Sequence, residues 1–171
     1  MQFQFLRHLP LPLEQFLYFF LIVVVVGAVS MFLGESIPRR WYRYDAFPYI
    51  CYRWERGGAI YEKMGVRKWK DRVPDMSKYM KFIIDKRISG SRDAQSMKRL
   101  IQETCNGEFV HWVLLLLSPM NLAFLKGGYG VLATVIYALF NVPFIIIQRY
   151  NRPRLVVLLN RMTAQPRRRG E

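Results

Sequence analysis

Apolar residues gather in three long runs, and a polar segment rich in basic and aromatic residues separates the first run from the other two. The first run covers residues 13–34, and its one charged residue, Glu14, lies near its start. A helix needs about 20 apolar residues to cross the hydrocarbon core of a bilayer. The run therefore predicts a transmembrane helix. A cleaved signal peptide is the alternative, but Arg7 alone is a weak basic region and a good cleavage site is missing.

The second and third apolar runs cover residues 108–125 and 129–147, and a short Lys-Gly-Gly turn joins them. Pro119 and Pro143 interrupt these runs, because proline removes a backbone hydrogen-bond donor. The pair is either a hairpin of two full spans or a pair that dips partway into the bilayer and returns. The pattern predicts an all-α membrane protein with three transmembrane helices, the second and third as a hairpin.

The whole chain, residues 1–171, is predicted to form a single membrane domain. Residues 35–107 would be a cytoplasmic and interfacial segment, whose many aromatic residues suit the lipid headgroup layer. Within it, residues 76–87 carry apolar side chains at helical spacing, which predicts an amphipathic interfacial helix. Residues 148–171 would form a basic cytoplasmic tail.

The charge distribution predicts the orientation of the spans. The net charge is +14, while hydrophobic residues make up 52% of the chain, so a basic nucleic-acid-binding protein would leave the apolar runs unexplained. Of the 26 lysines and arginines, 17 lie in residues 35–107. The positive-inside rule then predicts a multi-pass protein of the cell membrane with its amino terminus outside and its carboxyl terminus in the cytoplasm.

A metal centre and a structural disulfide are not expected. Cys51 and Cys105 fit no metal-ligand or disulfide spacing, and the chain has only two histidines, His8 and His111.

Candidate catalytic residues lie where the second run begins. Glu108 and His111 are three residues apart and share a helix face, and Glu103 lies about two turns before His111. A carboxylate that orients an imidazole makes a usable general base, and either glutamate could take that role. The alternative is an interfacial pair that anchors the helix beside Trp112.

A second cluster, "QRYNRPRL", follows the third run. Arginine forks bind carboxylates and phosphates at two points, so this cluster predicts a binding site for an anionic group. A hairpin would bring it near Glu108 and His111. The predicted binding residues are Gln148, Arg149, Asn151, Arg152, Arg154, Arg67, Lys68, Lys70, Trp69 and Asn141.

Three stretches, "RKWKD", "ETCNGEFVHW" and "NVPFIIIQRYNRPRL", resemble the corresponding stretches of glycosyl-4,4'-diaponeurosporenoate acyltransferases of staphyloxanthin-type carotenoid biosynthesis. The resemblance covers roughly residues 35–160. It implies transfer of a fatty acyl group to a sugar hydroxyl of a carotenoid glycoside or similar glycolipid. Acyl-CoA or an acyl-carrier thioester would be the cosubstrate, with no bound cofactor. Expected partners are membrane lipids, the glycosylated acceptor, the acyl donor and other pathway enzymes, but no nucleic acid.

The residues agree with this chemistry. His111 would deprotonate the sugar hydroxyl, and Gln148, Asn151 or an arginine would stabilise the oxyanion. An aspartate five residues after His111 and a Gly-x-Ser-x-Gly elbow are both missing, which predicts direct transfer without a serine acyl-enzyme. Two alternatives stay open. One is a non-catalytic membrane adaptor or lipid-binding protein, and the other is a small membrane transferase with a phosphate-bearing cofactor.

Overall fold

The computed structural model describes residues 9–73 and 94–164, and every regular element within them is helical. Six α-helices are numbered in chain order: α1 Leu11–Ser36, α2 Ala59–Lys63, α3 Val66–Trp69, α4 Ala94–Leu117, α5 Met120–Phe124 and α6 Gly128–Ala164. The described residues between α1 and α4 also contain three short 3₁₀ helices: Arg39–Trp41, Arg53–Gly58 and Lys70–Arg72.

Three of these helical stretches are long and apolar enough to cross a membrane, as the sequence predicts: Leu11–Ser36, Ala94–Phe124 and Gly128–Ala164. In α1 the buried residues Tyr18, Val26, Ser30 and Gly34 are separated by four or eight residues, which places them on one stripe along the helix. Large apolar side chains such as Phe20 and Phe32 are exposed elsewhere on α1. An apolar surface of this kind suits a helix surrounded by lipid.

The prolines of the second and third runs have different effects. Helix α4 ends at Leu117, and Pro119 directly precedes α5, so the predicted break is present. Helix α6 instead continues through Pro143 and Pro153 to Ala164. Each proline removes only its own N–H donor, and neighbouring packing lets a helix pass such a position. The "QRYNRPRL" cluster therefore lies on a helix, and where α6 leaves the membrane stays a prediction.

The chain divides into two compact units, and the first draws its described residues from Met1–Ser36 and Phe109–Val142. Tyr18 of α1 packs with Leu125 and Ala133 in a small apolar cluster. The backbone N–H of Lys126 donates to Oε1 of Gln15 at 2.7 Å. These contacts join the start of α1 to the turn between α5 and α6.

The second unit draws its described residues from Ile37–Glu108 and Pro143–Glu171. Its apolar core consists of Tyr61, Val66, Ile147 and Tyr150, with Trp69 packed against them. Residues of α2 and α3 thus pack on the later half of α6. The predicted interfacial helix at residues 76–87 lies outside the described part of the chain.

Candidate functional site

Helices α4 and α6 carry the polar centre of the second unit. Thr104 and Glu108 are four residues apart on α4, and Arg149 and Arg152 are three apart on α6, so each pair shares a helix face. The helices approach closely at Gly107, where an added Cβ would lie 3.2 Å from Nε2 of Gln148. A small residue at this point lets the two faces meet.

The Arg149 guanidinium uses all five of its N–H groups on protein acceptors. Nε and Nη2 bind the two oxygens of Glu55 at 2.6 and 2.9 Å, and Nη1 donates to Oε1 of Glu108 at 2.7 Å. The remaining two N–H groups bind the carbonyl oxygens of Pro48 and Ile50 at 3.2 and 3.0 Å. Because an arginine has five such donors, this side chain is saturated.

Arg152 completes the cluster from one turn further along α6, with only 3% of its surface exposed. It donates to Oε2 of Glu108 at 2.5 Å, to the hydroxyl and carbonyl of Thr104 at 3.0 Å each, and to the carbonyl of Tyr49 at 2.9 Å. Two carboxylates and two guanidinium groups therefore balance one another. We call Glu55, Glu108, Arg149 and Arg152 the ion-pair cluster.

Glu55 is held from three directions. Besides Arg149, the backbone N–H of Tyr52 donates to it at 2.6 Å, and the hydroxyl of Tyr61 donates a short hydrogen bond. Burial alone would raise the pKa of Glu55, but these hydrogen bonds together hold it below its usual value. Burial and the Glu55 carboxylate in turn raise the pKa of Tyr61. Glu55 is accordingly an ionised acceptor at neutral pH.

Glu103, predicted to orient His111, accepts a hydrogen bond from Nε of Arg39 at 2.9 Å. One turn away, the hydroxyl of Tyr42 donates to Oδ1 of Asn106 at 3.0 Å. These two contacts join the Arg39–Trp41 3₁₀ helix and Tyr42 to the first half of α4. The catalytic roles of Glu103 and Glu108 stay predictions.

His111 lies in the first unit, half-buried on α4. Its Nδ1 is 2.9 Å from Oδ1 of Asn141 on α6. Asn141 is 2% exposed, and its Nδ2 donates to the carbonyl of Tyr137 at 2.8 Å. A carboxamide thus lies at Nδ1, where the sequence predicted a carboxylate.

The remaining predicted binding residues have varied surroundings. Trp69 packs into the apolar core and donates its indole N–H to the carbonyl of Met64 at 3.3 Å. Arg154 binds Glu62 at 2.6 Å and stacks over the ring of Tyr150. Gln148 is buried, Asn151 and Lys70 are half-buried, and Arg67 and Lys68 are exposed. Their roles in binding a substrate stay predictions.

Sequence reasoning missed several members of these sites. Glu55, Tyr61 and Thr104 belong to or contact the ion-pair cluster. Glu55 had one detectable signal, since it stands three residues after Tyr52, at the spacing at which a glutamate side chain reaches back to a helix-starting N–H.

The described residues define an all-helical protein that has three helices able to cross a membrane and a buried, charge-balanced cluster. Residues 38–161 match the sequence model of the glycosyl-4,4'-diaponeurosporenoate acyltransferase family. The chain belongs to this family, which confirms the resemblance, and it is an acyltransferase.

Similar proteins include acyltransferases of this name from Staphylococcus aureus strains. The protein of strain MRSA252 is 36% identical over 142 residues, which cover 81% of this chain and 82% of that protein. Those of strains bovine RF122 / ET3-1 and N315 are each 35% identical over the same shares. No solved structure matches the chain.

Proposed function

We propose that this protein transfers a fatty acyl group from an activated thioester to a sugar hydroxyl of a carotenoid glycoside, within or at the surface of a membrane. The names of its relatives supply the acceptor class, since they describe acyl transfer to glycosyl-4,4'-diaponeurosporenoate. The three long apolar helices support a lipid-embedded acceptor.

One observation carries the catalytic proposal: Nδ1 of His111 lies 2.9 Å from Oδ1 of the buried Asn141. A hydrogen bond at one ring nitrogen orients the imidazole, and we assign proton transfer to the other nitrogen. His111 is the general base in this proposal. Histidine suits the task because its usual pKa is close to neutral pH.

The acyl group passes directly from the thioester to the sugar hydroxyl. The imidazole takes the proton of the sugar hydroxyl while the hydroxyl oxygen bonds to the thioester carbonyl carbon. The carbon–sulfur bond then breaks, and the imidazolium returns the proton to the departing thiolate. Ester, free thiol and neutral imidazole are the products, so an acyl-enzyme is not needed.

An anionic thioester donor, acyl-CoA or an acyl-carrier thioester, fits the exposed cations better than it fits the ion-pair cluster. The five hydrogen bonds of Arg149 leave it no donor for a phosphate. Arg67 and Lys68 project from α3 into solvent and can bind phosphate oxygens. Arg149 and Arg152 then act by holding α4, α6 and the Pro48–Glu55 segment together.

We propose a membrane arrangement that agrees with the sequence. Helices α4 and α5 form a hairpin with α6, and the amino terminus is outside while the carboxyl terminus is cytoplasmic. The middle segment lies at the inner surface, where exposed Trp41, Phe47 and Trp54 suit the headgroup layer and nearby arginines attract anionic lipids.

The direct test incubates the purified protein in detergent micelles with a long-chain acyl-CoA and glycosyl-4,4'-diaponeurosporenoate. Mass spectrometry then measures the acylated glycoside. A parallel reaction with an acyl-carrier thioester identifies the donor. We expect an ester product with at least one donor and a loss of about 10²–10⁴-fold in His111→Gln, the range for removal of a general base.

His8→Gln is the matched control, because it changes the only other histidine of the chain. It should retain the wild-type rate. Failure to form the ester with either donor would reject the proposed function. Ester formation at equal rates by the two variants would reject His111 as the base and leave the acyltransferase activity in place.

A further inference from the structure

Asn141 has a fixed amide orientation. Its Nδ2 donates to the carbonyl oxygen of Tyr137, one turn earlier on α6, at 2.8 Å. A carbonyl oxygen can only accept hydrogen bonds, so the NH₂ end of the amide must face it. A rotated amide would set two oxygens against each other in a buried position, which is costly. Oδ1 is therefore the atom that faces His111.

The orientation of this amide decides which histidine nitrogen carries the proton. Oδ1 of Asn141 has no hydrogen to give, so the 2.9 Å contact with Nδ1 is a hydrogen bond only when Nδ1 is protonated. In a neutral imidazole, the other nitrogen, Nε2, then holds the lone pair. Through the orientation of Asn141, the backbone carbonyl of Tyr137 thus favours the Nδ1–H tautomer of His111.

We propose that Asn141 is a positioning residue that holds neutral His111 as the Nδ1–H tautomer, so that Nε2 is the atom that removes the proton from the acceptor hydroxyl. The catalytic part of this inference rests on the proposed function, whereas the tautomer does not. Asn141 performs the orienting task that an aspartate performs in a serine hydrolase triad, but without a negative charge.

A neutral carboxamide is cheaper to bury in an apolar helix than a carboxylate. A carboxylate at this position would place a charge in the apolar first half of α6, where a charge is costly. An amide still accepts the Nδ1–H hydrogen bond. Asn141 therefore orients the ring at a lower desolvation cost than aspartate or glutamate would.

The tautomer is measurable without an activity assay. In a His8→Gln background, ¹⁵N-labelled histidine reports on His111 alone, because the chain has two histidines. The ¹⁵N shifts distinguish a protonated ring nitrogen from an unprotonated one. At a pH at which the ring is neutral, we expect Nδ1 to be protonated and Nε2 unprotonated. A protonated Nε2 in this protein would overturn the inference.

Three variants of the same protein separate positioning from general packing. Asn141→Leu keeps the branched shape and the number of side-chain heavy atoms but removes the acceptor, and it should shift the spectrum toward the Nε2–H tautomer. Asn141→Asp retains an oxygen acceptor in either protonation state and should preserve the Nδ1–H signature. Asn160→Leu makes the same change at an exposed residue of α6 and should leave the spectrum unchanged. An unchanged tautomer in folded Asn141→Leu would also overturn the inference.

The same variants then enter the acyl-transfer assay. We expect Asn141→Leu to lower kcat by at least about 10-fold while KM for the donor is retained, since the base is misdirected and the binding residues are intact. If the tautomer shifts and the rate does not, the positioning role fails while the structural assignment holds. If the wild-type protein forms no ester but shows the Nδ1–H tautomer, only the proposed function fails.

Discussion

At the scale of single residues, the two carboxylates of the ion-pair cluster balance its two guanidinium groups. Glu108 is fully buried and accepts from both Arg149 and Arg152, while Glu55 takes the rest of the Arg149 fork. Removing one member of such a cluster leaves an uncompensated charge in a low-dielectric interior. The ion-pair cluster is therefore sensitive to single substitutions even if it never touches a substrate.

Glu108→Ala tests that sensitivity. It removes the acceptor of two guanidinium groups, and we expect it to lower the free energy of unfolding by about 3–5 kcal/mol. The thermal unfolding midpoint in a mild detergent is the measurement. Arg43→Ala is the matched control, because its partner Asp45 is exposed and the variant should unfold at the wild-type temperature. Equal midpoints for wild type and Glu108→Ala would contradict the structural role of the cluster.

The lowered pKa of Glu55 predicts that the stability of the folded protein depends on pH. Its pKa is lower in the folded protein than in the unfolded chain, where a glutamate titrates near about pH 4.3. The folded state therefore gains stability from this group above that pH, and loses it as the pH falls through the lower, folded pKa.

We expect the unfolding midpoint of the wild-type protein to fall between about pH 5 and pH 3. Glu55→Gln should unfold at a lower temperature at pH 7 and show a smaller fall across the same range. The thermal melt is repeated at each pH in one detergent. An identical pH profile for the two proteins would show that Glu55 is not the group responsible.

At the scale of elements, hydrophobic pattern predicts where the long helices lie, but it does not predict where α6 ends. The apolar run stops near residue 147, whereas α6 continues to Ala164. Its later half is held by partners distant in sequence: Ile147 and Tyr150 pack against Tyr61 and Val66. Such tertiary contacts keep α6 helical despite its two internal prolines. The sequence of α6 alone does not predict these contacts.

Gly130 provides a test of the packing between α5 and α6. A Cβ at this position would lie 3.2 Å from the carbonyl oxygen of Asn121 and from Cα of Leu122, both backbone atoms. Gly130→Ala should therefore destabilise the protein by about 1–3 kcal/mol, as other overpacked positions do. The thermal unfolding midpoint in detergent is the measurement.

Gly128→Ala is the matched control, because it lies on the same helix and a Cβ there meets nothing within 4 Å. It should leave the midpoint unchanged or raise it slightly, since alanine favours a helix over glycine by about 0.5–1 kcal/mol. Equal effects of the two substitutions would show that α5 does not pack against α6 at this point.

At the scale of the whole molecule, the sequence predicted the class of protein and the three long apolar helices, but few of the contacts that build the site. His111 and the arginines of "QRYNRPRL" were recognisable because charge and imidazole near an apolar run are costly to keep. Their pairings were not: Glu55 was not singled out, and Asn141 was predicted to bind a substrate and not to contact His111. Both residues lie far in sequence from the groups they bind.

The last prediction concerns the orientation of the chain in the membrane, and labelling of its two cysteines tests it. Cys51 is exposed in the middle segment, whereas Cys105 is buried. If the middle segment is cytoplasmic, a membrane-impermeant maleimide should label Cys51 only after the cells are permeabilised.

A Lys126→Cys variant in a Cys51→Ala background places the only accessible thiol at the turn before α6, which should be labelled in intact cells. The reverse labelling pattern would show that the chain has the opposite orientation in the membrane. Labelling of both positions from the same side would show that the stretch between residues 51 and 126, which contains α4 and α5, does not cross the bilayer.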